Sequence, residues 1–484
     1  MRIVLLVLVS LSSWMVLAPI GNSAPRSTQI VTPSDRAAYS KYFNSTLASL
    51  ECLRSDDGLI NDRGTLPRMI SRTKCRGLQN EHITSPTNIG FDLLSQLEAM
   101  NHGLHRRRAQ QTIRKILRAV SKLEKHPDTG LYFSWYQTTQ PFRVLNRNVS
   151  SVDNIHLALA LWTVSEKFPA AGIGKASRDI FQSMDFSCFY RLENGLIGGN
   201  LHYNTMAQLW TLESWSYSYY GSEARSIGAL GFALRKFSDP HFVSRHVSTY
   251  QIEFTDEPLA LRTWDGGVFQ LLLPELLMSE HDLSPILKSA FKNFSQSVLL
   301  SQNKNSMLAP PTHSASQAGL DGVTCGSKLS CYNGKAGELW MVASTNQDAH
   351  SQAMREQWEA VFTPHAAMLV ASIAPGEFAP ALSKLETFTD GDNHLYDPAI
   401  GWMDGLRVAE PYPNTVVPVQ LALDQEILLL AASRILSADG KTESARALAH
   451  NSQTRQRLHI YYESLERRFA EVIAATKSEN AFSK

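Results

Sequence analysis

The chain has 484 residues, 43% of them hydrophobic and 19% charged, with a formal net charge of +1 at pH 7. That length suits one large domain or two ordinary ones, and no low-complexity segment argues for disorder. Near-neutral charge excludes the broad basic footprint of a nucleic-acid binder, and the run Arg106-Arg107-Arg108 reads as a solvated helix start.

The N-terminus reads as an export segment. Arg2 precedes an apolar run from Ile3 to Leu17, then a small-residue region ending Asn22-Ser-Ala24. Cleavage after Ala24 would leave Pro25 first, which signal peptidases disfavour, so residues 1–24 are a signal peptide or an uncleaved anchor. That anchor would be the chain's sole membrane contact, because no second apolar stretch is long enough to span. Export favours disulfides. Cys52 with Cys75, and Cys325 with Cys331, are the expected pairs, leaving Cys188 free and buried. No metal spacing such as CxxC or HExxH occurs, and no cofactor is implied.

A polar linker, 25–34, leads to a helix capped by Asp35, carrying Tyr39, Tyr42, Phe43 and Leu47 on one side. Ser85 caps the second helix and Pro86 opens it. A third covers about 107–124. A non-helical passage, Gly130 to Tyr136, follows. The fourth begins at Val149-Ser-Ser-Val-Asp153, and the fifth spans about 174–190. A long aromatic loop ends in Trp215-Ser-Tyr-Ser-Tyr-Tyr-Gly-Ser-Glu223-Ala-Arg225, with Ser222 as cap and Glu223 in the first turn of the sixth. After Thr263-Trp264-Asp265-Gly-Gly267 comes Val268 to Met278, with Pro274 inside it. Helices over about 284–301, from Thr363-Pro364 to Pro375, over 377–388, from Pro418, and over 441–475 complete the set, with an irregular insertion at 303–355 and a tail at 476–484.

About twelve helices with few strands, alternating between wholly apolar and amphipathic, predict an all-α chain. The expected form is an (α/α)6 toroid, a double α-barrel, as a single domain over 35–475. Loops rich in polar and aromatic residues would gather at one end and form a cleft.

Several loop–helix junctions pair a carboxylate with aromatic rings. Rings suit the C–H faces of sugars, and acetal cleavage needs a carboxyl acid. Glu223 is either such a group or an exposed first-turn acid favouring the helix dipole. Asp153 carries the same two readings. Asp424, inside Val-Gln-Leu-Ala-Leu-Asp-Gln-Glu-Ile-Leu, is either half of a structural ion pair or a cleft carboxylate. Glu410, Trp264-Asp265 and Tyr396-Asp397 repeat the pairing. Together they favour carbohydrate chemistry.

Thr84-Ser-Pro-Thr-Asn-Ile-Gly90, Ser151-Val-Asp-Asn154, Gly221-Ser-Glu-Ala-Arg225, Thr263-Trp-Asp-Gly-Gly-Val-Phe269 with Pro274, Leu395-Tyr-Asp397 and Leu423-Asp-Gln425 stand in one order. That order resembles the glucoamylase-like ("glycoamylase") family, which is similar to the central domain of cyclic β-1,2-glucan synthases and to bacterial endo-β-1,2-glucanases. The resemblance covers about 50–437. It implies an (α/α)6 toroid and action on a glucan, with β-1,2-glucan and endo cleavage the best match. Synthase-like members have a glutamate where this chain has Gln270, and a His-Gln pair where it has Asp424-Gln425. The insertion holding Cys325 and Cys331 has no counterpart in that pattern. The resemblance implies Glu223 as one catalytic carboxyl, with Asp153 or Glu410 as the second. Asp424 and Gln425 would shape the cleft beside Arg225, Asp265, Tyr396 and Asp397, and Trp135, Tyr136, Trp215, Tyr219, Trp264 and Trp402 would be stacking platforms. The expected activity is an exported, periplasmic or secreted glycoside hydrolase with a glucan as partner. The alternatives are a non-hydrolytic polysaccharide-binding protein, which Gln270 favours, or a transglycosylase.

Overall fold

The computed structural model describes residues 31–66, 75, 77–170, 172–254, 259–261, 268–304, 360–391, 393–408 and 415–482. The export segment, Trp264, Asp265, Glu410, Cys325 and Cys331 lie outside them. Residues from Val31 onward form one unit.

The chain is all-α. Fifteen helices stand among the described residues, with only small sheets. In chain order they are α1 (Pro33–Leu53), α2 (Pro86–Asn101), α3 (Arg106–Val120), α4 (Ser151–Lys167), α5 (Gly172–Gln182), α6 (Arg225–Ala233), α7 (Phe242–Thr249) and α8 (Val268–Met278). Then come α9 (Glu280–Leu283), α10 (Pro285–Lys304), α11 (Pro364–Ala371), α12 (Pro375–Glu386), α13 (Ala422–Leu436), α14 (Glu443–His450) and α15 (Ser452–Phe482). No helix among the described residues is long and apolar enough to cross a membrane.

Two kinds of helix alternate. Every residue of α8 and α11 is buried, as is α2 from Pro86 to Met100 and α13 from Ala422 to Ile435. In contrast, α3 buries Ala109, Ile113, Ile116, Leu117 and Val120 and turns its basic residues out, the spacing of one wet face and one dry face. Among the sealed helices, α2 packs on α4 and α13, α4 on α6, and α11 on α8 and α13. Gly90 permits the α2–α4 approach: a Cβ there would fall 2.9 Å from the Leu157 Cα.

Several expected boundaries move. Thr32, not Asp35, caps α1; Asp35 closes a capping box by accepting from the Thr32 backbone N–H at 3.2 Å. Pro418 does not open a helix. Val419–Leu421 pairs as a strand with Arg63–Thr65, and α13 begins only at Ala422. The β-branched residues at 415–419 suit that ladder better than a first helical turn. The helix α7 was not expected, and α15 runs through the predicted tail to Phe482. Cys52 and Cys75 form the expected disulfide. Cys188 is free and half-buried, its thiol pushed up to about 12, chiefly by burial.

Candidate active site

The first turns of the sealed helices are linked to one another. The Thr87 hydroxyl in α2 donates to Asp153 Oδ1 in α4 at 2.6 Å. Asn88, one residue on, donates to Asp62 Oδ1 at 2.7 Å, and the Asp62 carbonyl accepts from the Ala422 N–H that opens α13. His365 in α11 lies 3.0 Å from Asp424 in α13. Arg225 opens α6 and donates to the carbonyls of Gln270 and Leu271 in α8, at 2.7 and 2.6 Å. Helix N-termini carry unpaired N–H groups and a partial positive charge, so carboxylates at this end are favoured.

Asp153 sits where Ser150 caps α4, the serine hydroxyl accepting from the Asp153 N–H at 3.2 Å. Burial raises its carboxyl above the ordinary 3.8, and donation from Thr87 and Ser150 offsets part of the rise. Glu223 lies two residues ahead of α6, in a turn where Ser222 and Glu223 carbonyls accept from the N–H groups of Arg225 and Ser226. It therefore precedes the first turn rather than occupying it. Tyr217 ties the two together: its phenol is raised well above 10 by burial, then by the charges of Glu223, Asp153 and Glu213. Trp215 covers this group from outside, 45% exposed, its ring 5.1 Å from Tyr217. Gly199 makes room for that indole, since a Cβ there would fall 1.8 Å from it.

Arg225 has a different role from the one expected. It is sealed from solvent and pairs with Glu280 at 2.6 Å, and its Nη1 holds the Ser222 carbonyl at 3.1 Å. Tyr462 completes the pair by donating to Glu280 at 2.8 Å. The guanidinium positions the Glu223 turn and offers nothing to a ligand.

A second group lies deeper. Asp404 and Asp424 are buried together, and among the described residues neither carboxyl accepts a well-formed hydrogen bond, with His365 Nδ1 the near neighbour of Asp424 at 3.0 Å. Burial raises Asp404 well above 3.8, with Asp424 as the next cause. Burial likewise lifts Asp424 to about 7 and pushes His365 down to about 4, leaving the imidazole neutral. The ligand atoms of His365, Asp404 and Asp424 lie within 4.8 Å of one another, close enough for a cation. No sequence spacing announces this group, because its members are separated by tens of residues. Glu426 adds another buried carboxyl, raised by burial and then by Asp92.

Other expected contacts are dispersed. Tyr136 is buried, its hydroxyl donating to the Glu124 carbonyl at 2.6 Å, and Trp402 is buried between Tyr42 and Tyr396. Neither presents a ring face to a ligand. Tyr396 donates to Ser45, Asp397 accepts from the Ala399 N–H, and Gln425 donates to the Trp402 carbonyl. Trp135 and Tyr219 are half-buried.

No protein-family profile and no curated protein sequence matches the chain. Solved structures do. An endo-β-1,2-glucanase from Talaromyces funiculosus, a glutamate-to-glutamine variant in complex with β-1,2-glucan, matches 91% of this chain and 90% of its own, at a TM-score of 0.67 and 11% identity. The fold is that of endo-β-1,2-glucanases and glucoamylase-like proteins. The endo-β-1,2-glucanase of Chitinophaga pinensis, solved with sophorotriose and glucose, matches 90% of this chain and 98% of its own, at a TM-score of 0.63 and 12% identity. A glucoamylase-like protein from Bacteroides caccae matches 89% and 98%, at 0.61 and 12%. The resemblance read from six short motifs thus recurs in three dimensions at an identity too low to carry function by itself.

Proposed function

We propose that the protein is an exported glycoside hydrolase that cleaves within a glucan, with β-1,2-glucan the best-supported substrate. The observation that carries this reading is a pair of half-buried carboxyls, Asp153 and Glu223, at the starts of the packed helices α4 and α6, whose charges both raise the Tyr217 phenol beside the exposed Trp215 ring. A glycosidase needs two carboxyls, one kept protonated by its surroundings, beside a surface that holds a sugar ring. Asp153, raised by burial, fits the acid; Glu223 is the second carboxyl, with Glu410 the alternative partner. The buried Asp404–Asp424 pair is a second group of carboxyls at the start of α13. Unneutralised acids are expensive to bury, and a functional centre is where such expense is retained.

The sequence of contacts α6–α4–α2–α13–α11–α8, with Arg225 bridging α6 to α8, supports an (α/α)6 toroid. Its cleft would lie at the first turns. The solved structures of this fold that hold sophorose or β-1,2-glucan support the choice of substrate.

Gln270 favours a second reading, a polysaccharide-binding protein without turnover. Its amide stands in the first turn of α8, buried, with an oxygen that accepts no hydrogen bond among the described residues. Incubation of the protein with linear β-1,2-, β-1,3-, β-1,4-, β-1,6- and α-glucans separates the two. Short oligosaccharides from β-1,2-glucan are expected. Retention on one glucan without product would establish binding instead.

A further inference from the structure

A pocket of about 450 Å³ opens beside the connection from α3 to α4, with Glu124, Phe133, Arg147, Tyr203 and Trp210 in its lining and none of the carboxyls described above among its lining residues. This volume is in the range of small-ligand sites. Three rings form one wall. Phe133 and Trp210 stack at 5.7 Å with 19° between their planes, and Tyr203 leans on Trp210 at 5.2 Å. Trp210 is pinned from another side by His126 at 4.5 Å, whereas Tyr203 is 37% exposed. An exposed ion pair forms the rim: Arg147 donates from both Nη atoms to the two Glu124 oxygens, at 2.7 and 3.2 Å, with its guanidinium 5.4 Å from the Phe133 ring centre.

The chemistry of these walls selects a ligand class. An anion would meet the Glu124 carboxylate, and the other nearby cation, Lys125, is engaged with the Ser183 hydroxyl at 3.2 Å and the Tyr132 ring. A wholly apolar ligand would desolvate the ion pair. A neutral polyhydroxylated ring satisfies both, its C–H face on Tyr203 and Trp210 and its hydroxyls on the guanidinium and carboxylate at the rim.

The pocket shares its scaffold with the catalytic carboxyls. The Leu209–Leu212 strand, which carries Trp210, pairs with Asn200–Asn204, and that strand pairs with Val149–Ser150 at the cap of α4. Asn154, the neighbour of Asp153, accepts from the Tyr132 N–H at 2.8 Å and donates to the Tyr132 carbonyl at 2.9 Å, one residue from Phe133. We propose that this pocket is an auxiliary subsite that holds a glucosyl unit of the substrate chain outside the catalytic cleft. The inference rests on the glucan reading given above.

The test is the ratio of kcat/KM on a long-chain glucan to that on a short oligosaccharide, measured for Trp210→Ala, Tyr203→Ala and Arg147→Met in the full chain. Loss of a stacking ring at the subsite lowers that ratio about tenfold for Trp210→Ala and severalfold for Tyr203→Ala. Trp210 packs on Phe133 and His126, so its removal also unsettles the hairpin; the exposed Tyr203 and Arg147 keep the test independent of folding. An unchanged ratio in Tyr203→Ala and Arg147→Met, with the parent chain active on glucan, overturns the subsite alone. A parent chain that neither cleaves nor binds any glucan overturns the glucan reading, and the subsite with it.

Discussion

Replacing Arg225 by methionine removes the cation of a buried pair and leaves Glu280 without its counter-charge. Both side chains are sealed, at 1% and 0% exposure. Breaking a buried pair from one side destabilises by about 3–5 kcal/mol, because the abandoned charge stays in a poorly solvating interior. Three carbonyls also lose a donor: Ser222, Gln270 and Leu271. Ser222 keeps the Arg225 backbone N–H, and an acceptor left with no donor adds about 1–3 kcal/mol when water cannot reach it. Tyr462 keeps its hydrogen bond to Glu280 and local relaxation recovers part of the loss, so a net destabilisation of about 4–6 kcal/mol is expected, a large fraction of a domain's stability. Denaturant unfolding of Arg225→Met, Glu280→Gln and the double variant measures it. The double variant should be more stable than Arg225→Met, since it removes the stranded carboxylate. Because the Ser222 carbonyl anchors the turn bearing Glu223, turnover by folded Arg225→Met should also fall. A loss below about 1 kcal/mol would refute the reasoning, by showing that the pair is solvated or replaceable.

Glu223→Gln and Asp153→Asn should each reduce turnover about 100- to 10,000-fold while glucan is still bound, as steady-state kinetics and affinity electrophoresis would show. Asp424 has a folded-state pKa of about 7 against an ordinary 3.8, so its contribution to stability is fully present below pH 4 and is lost as pH rises through 7. Asp424→Asn should therefore gain stability at pH 8, on the order of 4 kcal/mol, and flatten the pH profile of unfolding between pH 4 and 7. Gly199→Ala places a methyl inside the Trp215 ring, so KM should rise severalfold with the melting temperature nearly kept. Removing the Cys52–Cys75 crosslink, which spans 23 residues, should lower stability by about 3 kcal/mol in denaturant unfolding.

The helices were legible because burial leaves a periodic trace. Ser85-Pro86 announced α2, and α8 fell at Val268–Met278 with Pro274 inside it. The strand Val419–Leu421 was not legible, because its partner Arg63–Thr65 lies some 350 residues away and nothing local distinguishes a buried strand from a buried helix start. At the candidate site, the pairing of a carboxylate with rings is what singled out Asp153, Glu223 and Trp215 in the sequence. The same rule misassigned Trp402 and Tyr136, since a ring that fills the core and one that faces a sugar look alike in sequence. Arg225 resembled a ligand contact for want of any sign of Glu280, fifty-five residues on. Asp404 and His365 went unrecognised because only folding brings them to Asp424.

The most direct measurement is the structure of Glu223→Gln crystallised with a linear β-1,2-glucan oligosaccharide. The expected result is a chain lying across Trp215 with one glycosidic oxygen within hydrogen-bond reach of the residue 223 amide or of Asp153. An oligosaccharide bound with no glycosidic oxygen near either position, or none bound at the first turns of α4 and α6, would contradict the assignment of this centre as a glucan-cleaving site.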